Sequence, residues 1–495
     1  MTSSNRVRLT GVAESTYGVT PTNPRMQKQR VTSIGLTNKA DYVDSDDIRD
    51  DRMSSDPIMV GQSNGGQIGI EWHYPADNCL LSREMESAFG NVWINTPSRD
   101  NDGAAGSVIQ SVTASTQVVA VATGAAFVAG HLVCFSGFAT ANKGKLAKVT
   151  AGSATAPAFV GGGLVDEASP PATARMKVVG CEGAAGDIQA VADGLTTQAG
   201  GLDFSTLGLM VGQWVKVGDT GAAYRFATEG VNGWGRIVAI SARKLTLDNL
   251  PSGWSADTGT GKTIRIFFGD VLKNGVQKLG LSLERGFMGQ ATPTYIAQTG
   301  MRVNTLEFGG QAKQKATGSI AFMGLKGTTA LVSLDDTPDP APDGALFPVM
   351  AFSVNCGRIG EGGSALKKPN WSKSVKFTIN NNLRAIDAAA DGDDAAPAAV
   401  DVADGSFDVS VELDTYFGNA DLLAKVMAGT PTSLNTRLQK GVQAMVWEAP
   451  RLTPKEGDPN VSGKNQDVML PVKLTASADS LTNAQLIVNR LEFFR

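Results

Sequence analysis

Through most of the chain, hydrophobic and polar residues alternate with a period of two, in short runs bounded by glycine or proline, which is the pattern of half-buried β-strands. Runs of this kind fall at 67–72, 276–284, 301–308, 373–379, 407–413 and 468–474. The period changes in two places. Leu81, Met85, Ala88 and Phe89 recur at i, i+4, i+7 and i+8, behind Asp77 or Asn78 as a cap and ahead of Gly90. Leu422, Leu423, Val426 and Met427 make a second stripe ahead of Gly429. Both predict a short helix with one apolar face closed by a glycine. The expected fold is mainly β with two flanking helices.

The two helical stripes belong to an internal duplication. The run from Gly66 through Gln67, Ile68, Gly69, Ile70, Glu71 and Trp72 reappears as Phe407, Asp408, Val409, Ser410, Val411, Glu412 and Leu413, and each run leads through a turn into its helix. Upstream, 30–37 matches 373–380, and an acidic, turn-rich stretch follows each, at 41–65 and 387–405. The first copy carries a long insert poor in charge and rich in Gly, Ala and Thr, in which 127–138 and 209–218 each open a small β module. The expected division is an arm at 1–27, a discontinuous first domain at 28–99 and 271–330, inserted modules at 100–185 and 186–270, a linker at 331–371 and a second domain at 372–495. Insertions of this size are tolerated where they face solvent, so the modules belong on the outside of any assembly.

Composition narrows the function classes. Of 495 residues 42% are hydrophobic and 19% charged, which fits a folded protein rather than a disordered one. Lys+Arg 44 against Asp+Glu 48 leaves a net charge of −4, without the basic field that tight nucleic-acid binding requires. No apolar run reaches the length of a membrane span, and the polar start at Met1 leads to the expectation of assembly in a cytoplasm. Cys79, Cys134, Cys181 and Cys356 are too dispersed for a metal site or a disulfide framework and are read as buried thiols.

The candidate chemistry is thin. Gly61, Ser63 and Gly65 spell a nucleophile elbow, but alternating strand residues follow where a helix is required, so turn glycines are expected. Residues 257–263 resemble the end of a phosphate loop with Ala256 in place of its first glycine, and a strand follows, so a β-turn is expected. The acidic stretches lack the spacing of a calcium loop, and His73 has no second ligand in register. Trp72, Trp214, Trp234 and Trp447 are read as core. No catalytic residue, metal ligand or cofactor site is expected, and the chain is not read as an enzyme.

The order of several motifs resembles the tail tube (major tail) protein family of long-tailed bacteriophages. They are 14–21, the Ser45–Arg52 stretch, the 65–71 strand, 283–287, 300–304, 316–324, 380–384 and 466–471. The resemblance implies two tandem tail-tube-type β-sandwich or barrel domains, each with a flanking helix and related in fold to the tube of type VI secretion systems, with the inserted β-barrel-like modules as the departure. It also implies rings of six such domains, hence homotrimers with pseudo-hexameric rings, stacked as a filament. The implied partners are further copies, the tape measure, tail terminator and distal tail proteins. DNA would pass through the lumen during ejection without specific binding, with no membrane involved, in a virion tail assembled in the host cytoplasm.

Within that picture the polar side of the duplicated strand is the candidate lumen face: Gln67 and Glu71, with His73, in one copy, and Asp408, Ser410, Glu412 and Asp414 in the other. The acidic stretches are candidate contacts between rings, through Asp44, Asp46, Asp47, Arg49, Asp50, Asp51 and Arg52, and through Asp391, Asp393 and Asp394. The competing reading is a surface glycan- or receptor-binding β protein acting through the inserted modules.

Overall fold

The computed structural model describes residues 3–102, 108–347, 358–365, 369–388 and 399–495. The chain is mainly β, 46% strand against 6% helix. One antiparallel sheet runs through both copies of the duplication. Its strands, in order, are Ser33–Val43, Ile58–Glu71, Thr317–Gly324, the second half of Thr294–Gln311, Ser372–Asn380, Asp408–Tyr416, Met469–Ala476 and the last third of Gln443–Gly457. The two copies therefore join edge to edge, Gly309 lying opposite Lys376.

Alternation along each strand becomes two faces of this sheet. One row across it reads Ile34, Ile68, Ile320, Leu306, Ile379, Val409, Ala476 and Leu452, and from Ile68 onward every member is buried. Over this face lie the aromatics that join the copies. Phe308 stacks on Trp447 at 4.6 Å, and Trp72 meets both edge-on at 5.5 and 5.4 Å. Ile34 sits opposite Ile68 but Phe377 opposite Val411, so one of the two sequence matches is displaced by two residues. A shift of two keeps every side chain on its face.

The second layer comprises two matching sets of strands. In one, Val7–Ala13, Leu281–Phe287, the first half of Thr294–Gln311 and Lys326–Ala330 pair in that order. In the other, Arg358–Glu361, Thr432–Lys440, the first part of Gln443–Gly457 and Ile487–Leu491 do the same. Thus a strand from the expected arm and one from the expected linker hold equivalent positions, beside Leu281–Phe287 and Thr432–Lys440 respectively. Thr294–Gln311 passes from one layer to the other at Gly300, whose φ of +68° suits glycine and where a Cβ would lie 2.6 Å from the Leu325 side chain.

Both expected helices form, as α1 (Leu80–Phe89) and α2 (Asp421–Ala428), each ended by a left-handed glycine, Gly90 and Gly429. Their caps and burial differ from expectation. Cys79 holds the N-cap of α1 without a side-chain bond, because Asp77 is drawn into ion pairs with Arg175, Lys177 and Arg490. Asn78 accepts from Arg83 instead. Nine residues of α1 are buried, whereas α2 buries only Leu422 and leaves Met427 80% exposed. The expected strand at 276–284 starts only at Leu281. Upstream of it, the amides of Gly275 and Gln277 donate to Phe89 and Gly90 carbonyls at the end of α1, and Val276 projects into solvent.

The insert forms a thirteen-stranded sheet over one core. Its two halves are joined where Arg175–Glu182 pairs with His131–Ser136 on one side and Arg265–Phe267 on the other. It docks on the outer face of the second copy's outer layer. There Leu132, Val179, Trp214, Trp234 and Phe267 pack against Ala444, Val446, Leu491 and Phe494. The residues alternating with these, Met445, Trp447 and Val488, face the shared core. The insert thus lies on the opposite side of the molecule from the polar face of the inner sheet.

Candidate functional site: a polar sheet face with two open edges

Opposite the core, the inner sheet presents a continuous polar face. One row reads Gln67, Ala321, Thr305, Asn380 and Asp408. A second reads Glu71, Thr317, Gly309, Lys376, Glu412, Lys473 and Glu456. Between them Ser410 shares a row with Thr378 and Glu307. Gln67, Glu71, Asp408, Ser410, Glu412 and Asp414, candidates from separate copies, are therefore brought together on one face. The first five hold places in these rows, and Asp414 lies two residues beyond Glu412 on the same strand. His73 is not among them. The chain has left the sheet there, the Phe347 amide donates to the Trp72 carbonyl, and the imidazole is 1% exposed. Burial pushes its pKa below the usual histidine range.

The face is charged, with more carboxylates than lysines. Glu412 stands between Lys376 and Lys473 on the neighbouring strands; Lys376 also reaches Glu307 at 2.7 Å, and Lys315 pairs with Glu71. Burial opposes ionisation of Glu307, but hydrogen bonds from Lys376 and Ser319 prevail and hold its pKa below the usual value. Ser374 donates to Asp414 at 2.6 Å, and Asn382 to Asp408 at 2.7 Å. A shallow cleft of about 590 Å³ opens at the seam between the copies, lined by Gln67, Glu307, Lys376, Glu412 and Asp414 among others. Opposite charges facing across strands stabilise the sheet, and the excess of carboxylates leaves the field above it negative.

The sheet ends on both sides in an edge without a further strand among the described residues. One edge is Ser33–Val43 and the other the last third of Gln443–Gly457. Asp44, Asp46, Asp47, Arg49, Asp50, Asp51 and Arg52 occupy the exposed loop joining Ser33–Val43 to Ile58–Glu71, where an Arg49–Asp51 pair forms at 2.5 Å. That pair holds Asp51 below the usual carboxylate range. Asp391, Asp393 and Asp394 lie outside the described residues, as does Cys356.

The serine motif falls inside the strand Ile58–Glu71 rather than in a turn. Ser63 is opposite Lys39 and donates to Asp41 at 3.2 Å. Residues 257–263 do form a turn, in which the Asp257 carboxylate accepts from Gly259 and Thr228 amides, at 2.9 and 2.8 Å. Trp72, Trp214, Trp234 and Trp447 are buried, and so are Cys79 and Cys181, with Cys134 half-buried. Burial raises the Cys79 thiol to about 11. No group of metal-ligating residues occurs among the described residues.

What sequence reasoning missed is a buried ionic junction where the first copy, the insert and the last strand meet. Arg490, fully buried, donates to Asp270 and Asp77 at 2.8 Å, to Ser82 at 2.8 Å and to Asn95 at 2.9 Å, with its guanidinium 4.0 Å from the Trp93 ring. Lys177 joins Asp270 at 2.6 Å, and Arg175 joins Asp77 at 2.6 Å. Burial works against the Asp77 carboxylate, but the three cations together hold its pKa far below the usual range. The junction anchors the insert to both copies.

A family model described as phage tail tube protein matches residues 4–476. No curated protein matches the chain.

Proposed function

The chain belongs to the phage tail tube protein family, and from that premise we propose that three copies close head to tail into a ring whose inner wall is the polar sheet face. The family places the chain in the virion tail, among proteins that assemble into a tube. The observation that carries the trimer is the seam within one chain, where the first copy's last inner strand pairs with the second copy's first. Repeating that step joins the second copy's last strand, 452–457, to Ser33–Val43 of the next molecule, and three molecules supply six equivalent units. Such an interface is heterologous and closes by rotation, while stacking along the axis stays open and yields a filament.

In this arrangement the polar rows face the lumen and the insert decorates the outside, on alternate units only. A wall of alternating carboxylates and lysines offers a passing duplex, with one charge per about 1.7 Å, no sustained attraction, so DNA slides rather than binds. The acidic loop at 44–57 then projects from one end of each chain's first unit toward the adjoining ring. The tape measure, terminator and distal tail proteins would meet the lumen and the two ends. The role is structural, without turnover. Trp214 and Trp234, which a glycan platform would present, are buried, which weighs against recognition through the insert. Native mass spectrometry of the purified protein at assembling concentration tests the ring: species of three chains and their multiples are expected, and monomer or dimer alone contradicts it.

A further inference from the structure

We infer that the apolar strip left open on α2 is covered, in the assembled ring, by the base of the acidic hairpin of the adjoining copy. The inference rests on the ring reading above and adds a second contact to it, beside the sheet edge. Its template is a contact that the chain already makes between its own two halves.

After Ser372–Asn380 the second copy turns onto α1 of the first. Asn381 donates from Nδ2 to the Ala88 carbonyl at 2.9 Å and to the Val303 carbonyl at 2.8 Å, and the Leu383 amide donates to Asn304 at 2.9 Å. On the returning segment the Val402 carbonyl accepts from Arg302 at 3.1 Å, Asp404 pairs with the same guanidinium, and the Phe407 ring lies 6.2 Å from Phe89. Leu383 and Val402 are buried at this contact, and α1 is buried on nearly every side.

The duplication supplies both halves of the same contact a second time, and both are open. On α2, Ala424, Met427 and Ala428 are exposed at i, i+3 and i+4, which places them in one strip. On the first copy, the segments leaving and re-entering the sheet carry Tyr42, Met59 and Val60, exposed by 60, 42 and 47%. These correspond in place to the segments around Leu383 and Val402. Neither surface can reach the other within one molecule, because Ser33–Val43 and 452–457 are opposite edges of the sheet. Pairing those edges between molecules brings Ser33–Val43 beside 452–457, as Ser372–Asn380 lies beside the strand next to α1. The occupant of the strip is therefore a second copy of this chain. The hairpin then has two regions: an apolar base that packs sideways within a ring, and a charged tip that stays free to point along the tube.

A double variant, Val60→Cys with Met427→Cys, tests this in a background carrying Cys134→Ser and Cys356→Ser. Treated with a short bismaleimide after assembly, it is expected to give covalent dimers and trimers on a denaturing gel, while each single cysteine variant stays monomeric. Rings visible by electron microscopy without covalent species, although both cysteines react with a monofunctional maleimide, overturn the inference and leave the ring standing. Absence of rings in the unmodified protein overturns the ring and this contact with it. Independently, Met427→Asp is expected to raise the concentration needed for assembly by about tenfold or more. An unchanged assembly threshold for that variant contradicts the proposal.

Discussion

Arg490 donates to two carboxylates, a hydroxyl, a side-chain amide and the Pro75 carbonyl while fully buried, so its removal leaves Lys177 as the one cation on the desolvated Asp270 among the described residues. Arg490→Met is expected to cost about 3–5 kcal/mol in protomer stability, the usual range for one half of a buried ion pair, measured by denaturant unfolding of unassembled protein. Glu84 on α1 is a different case. It is fully buried, accepts from Gln29 at 2.8 Å through one oxygen, and has no partner for the other among the described residues. Burial alone pushes its carboxyl up to about 8. Because its folded pKa lies above its unfolded one, the folded state holds the extra proton between them, and stability falls as pH rises from the ordinary carboxyl range toward 8. Glu84→Gln keeps an acceptor for Gln29 and removes the titration. A gain on the order of 2 kcal/mol near pH 8.5 and little change near pH 5 are expected, read from thermal melts at both values. A gain of the same size at pH 5 would point to packing instead. Neither residue stands out in the sequence: Arg490 and Asp77 are 413 positions apart, and Glu84 reads as a solvent-facing member of an amphipathic helix.

The two helices show what periodicity reveals and what it omits. Leu81, Met85, Ala88 and Phe89 are buried as their spacing predicts, and both terminal glycines adopt the left-handed conformation. The second stripe was equally legible, yet Met427 is exposed, because periodicity reports that a face needs covering and not whether the same molecule covers it. In the isolated protomer Leu81→Ala is expected to cost about 2–5 kcal/mol as a core cavity. Met427→Ala should stay within about 0.5 kcal/mol, as for an open surface position. Equal losses in urea unfolding would mean that α2 is buried in the free protomer. Strands were recognised for the same reason as α1, since alternation maps directly onto the faces of a pleated sheet. The late start at Leu281 was hidden because residues before it alternate too, while their amides close the end of α1. The misplaced His73 continues an alternating run past the point where the strand ends.

For the molecule as a whole, the duplication was legible and its consequence was not. Repeated motifs identify two units, but the shared aromatic core of Phe308, Trp72 and Trp447 and the edge-to-edge seam appear only once the strands are paired. The polar residues of the duplicated strand, His73 apart, share one face of the sheet, because a period of two survives even a two-residue shift in register. Its lysines were not anticipated, since Lys376 and Lys473 come from strands outside the repeated run. If that face lines the lumen, Glu412→Lys with Asp414→Lys reverses two of its charges and removes its excess of carboxylates. Tubes are then expected to form normally, while DNA ejection slows and becomes more sensitive to salt, as added phosphate contacts require. Unchanged ejection kinetics would place these residues elsewhere. The central claim is the ring of three double units, and imaging the purified protein by electron cryo-microscopy tests it most directly. The account predicts hollow stacked rings in which a continuous inner sheet carries three outer lobes per layer, one insert on every second unit. Solid filaments, rings with an insert on every unit, or rings whose inner wall is broken between molecules would contradict it.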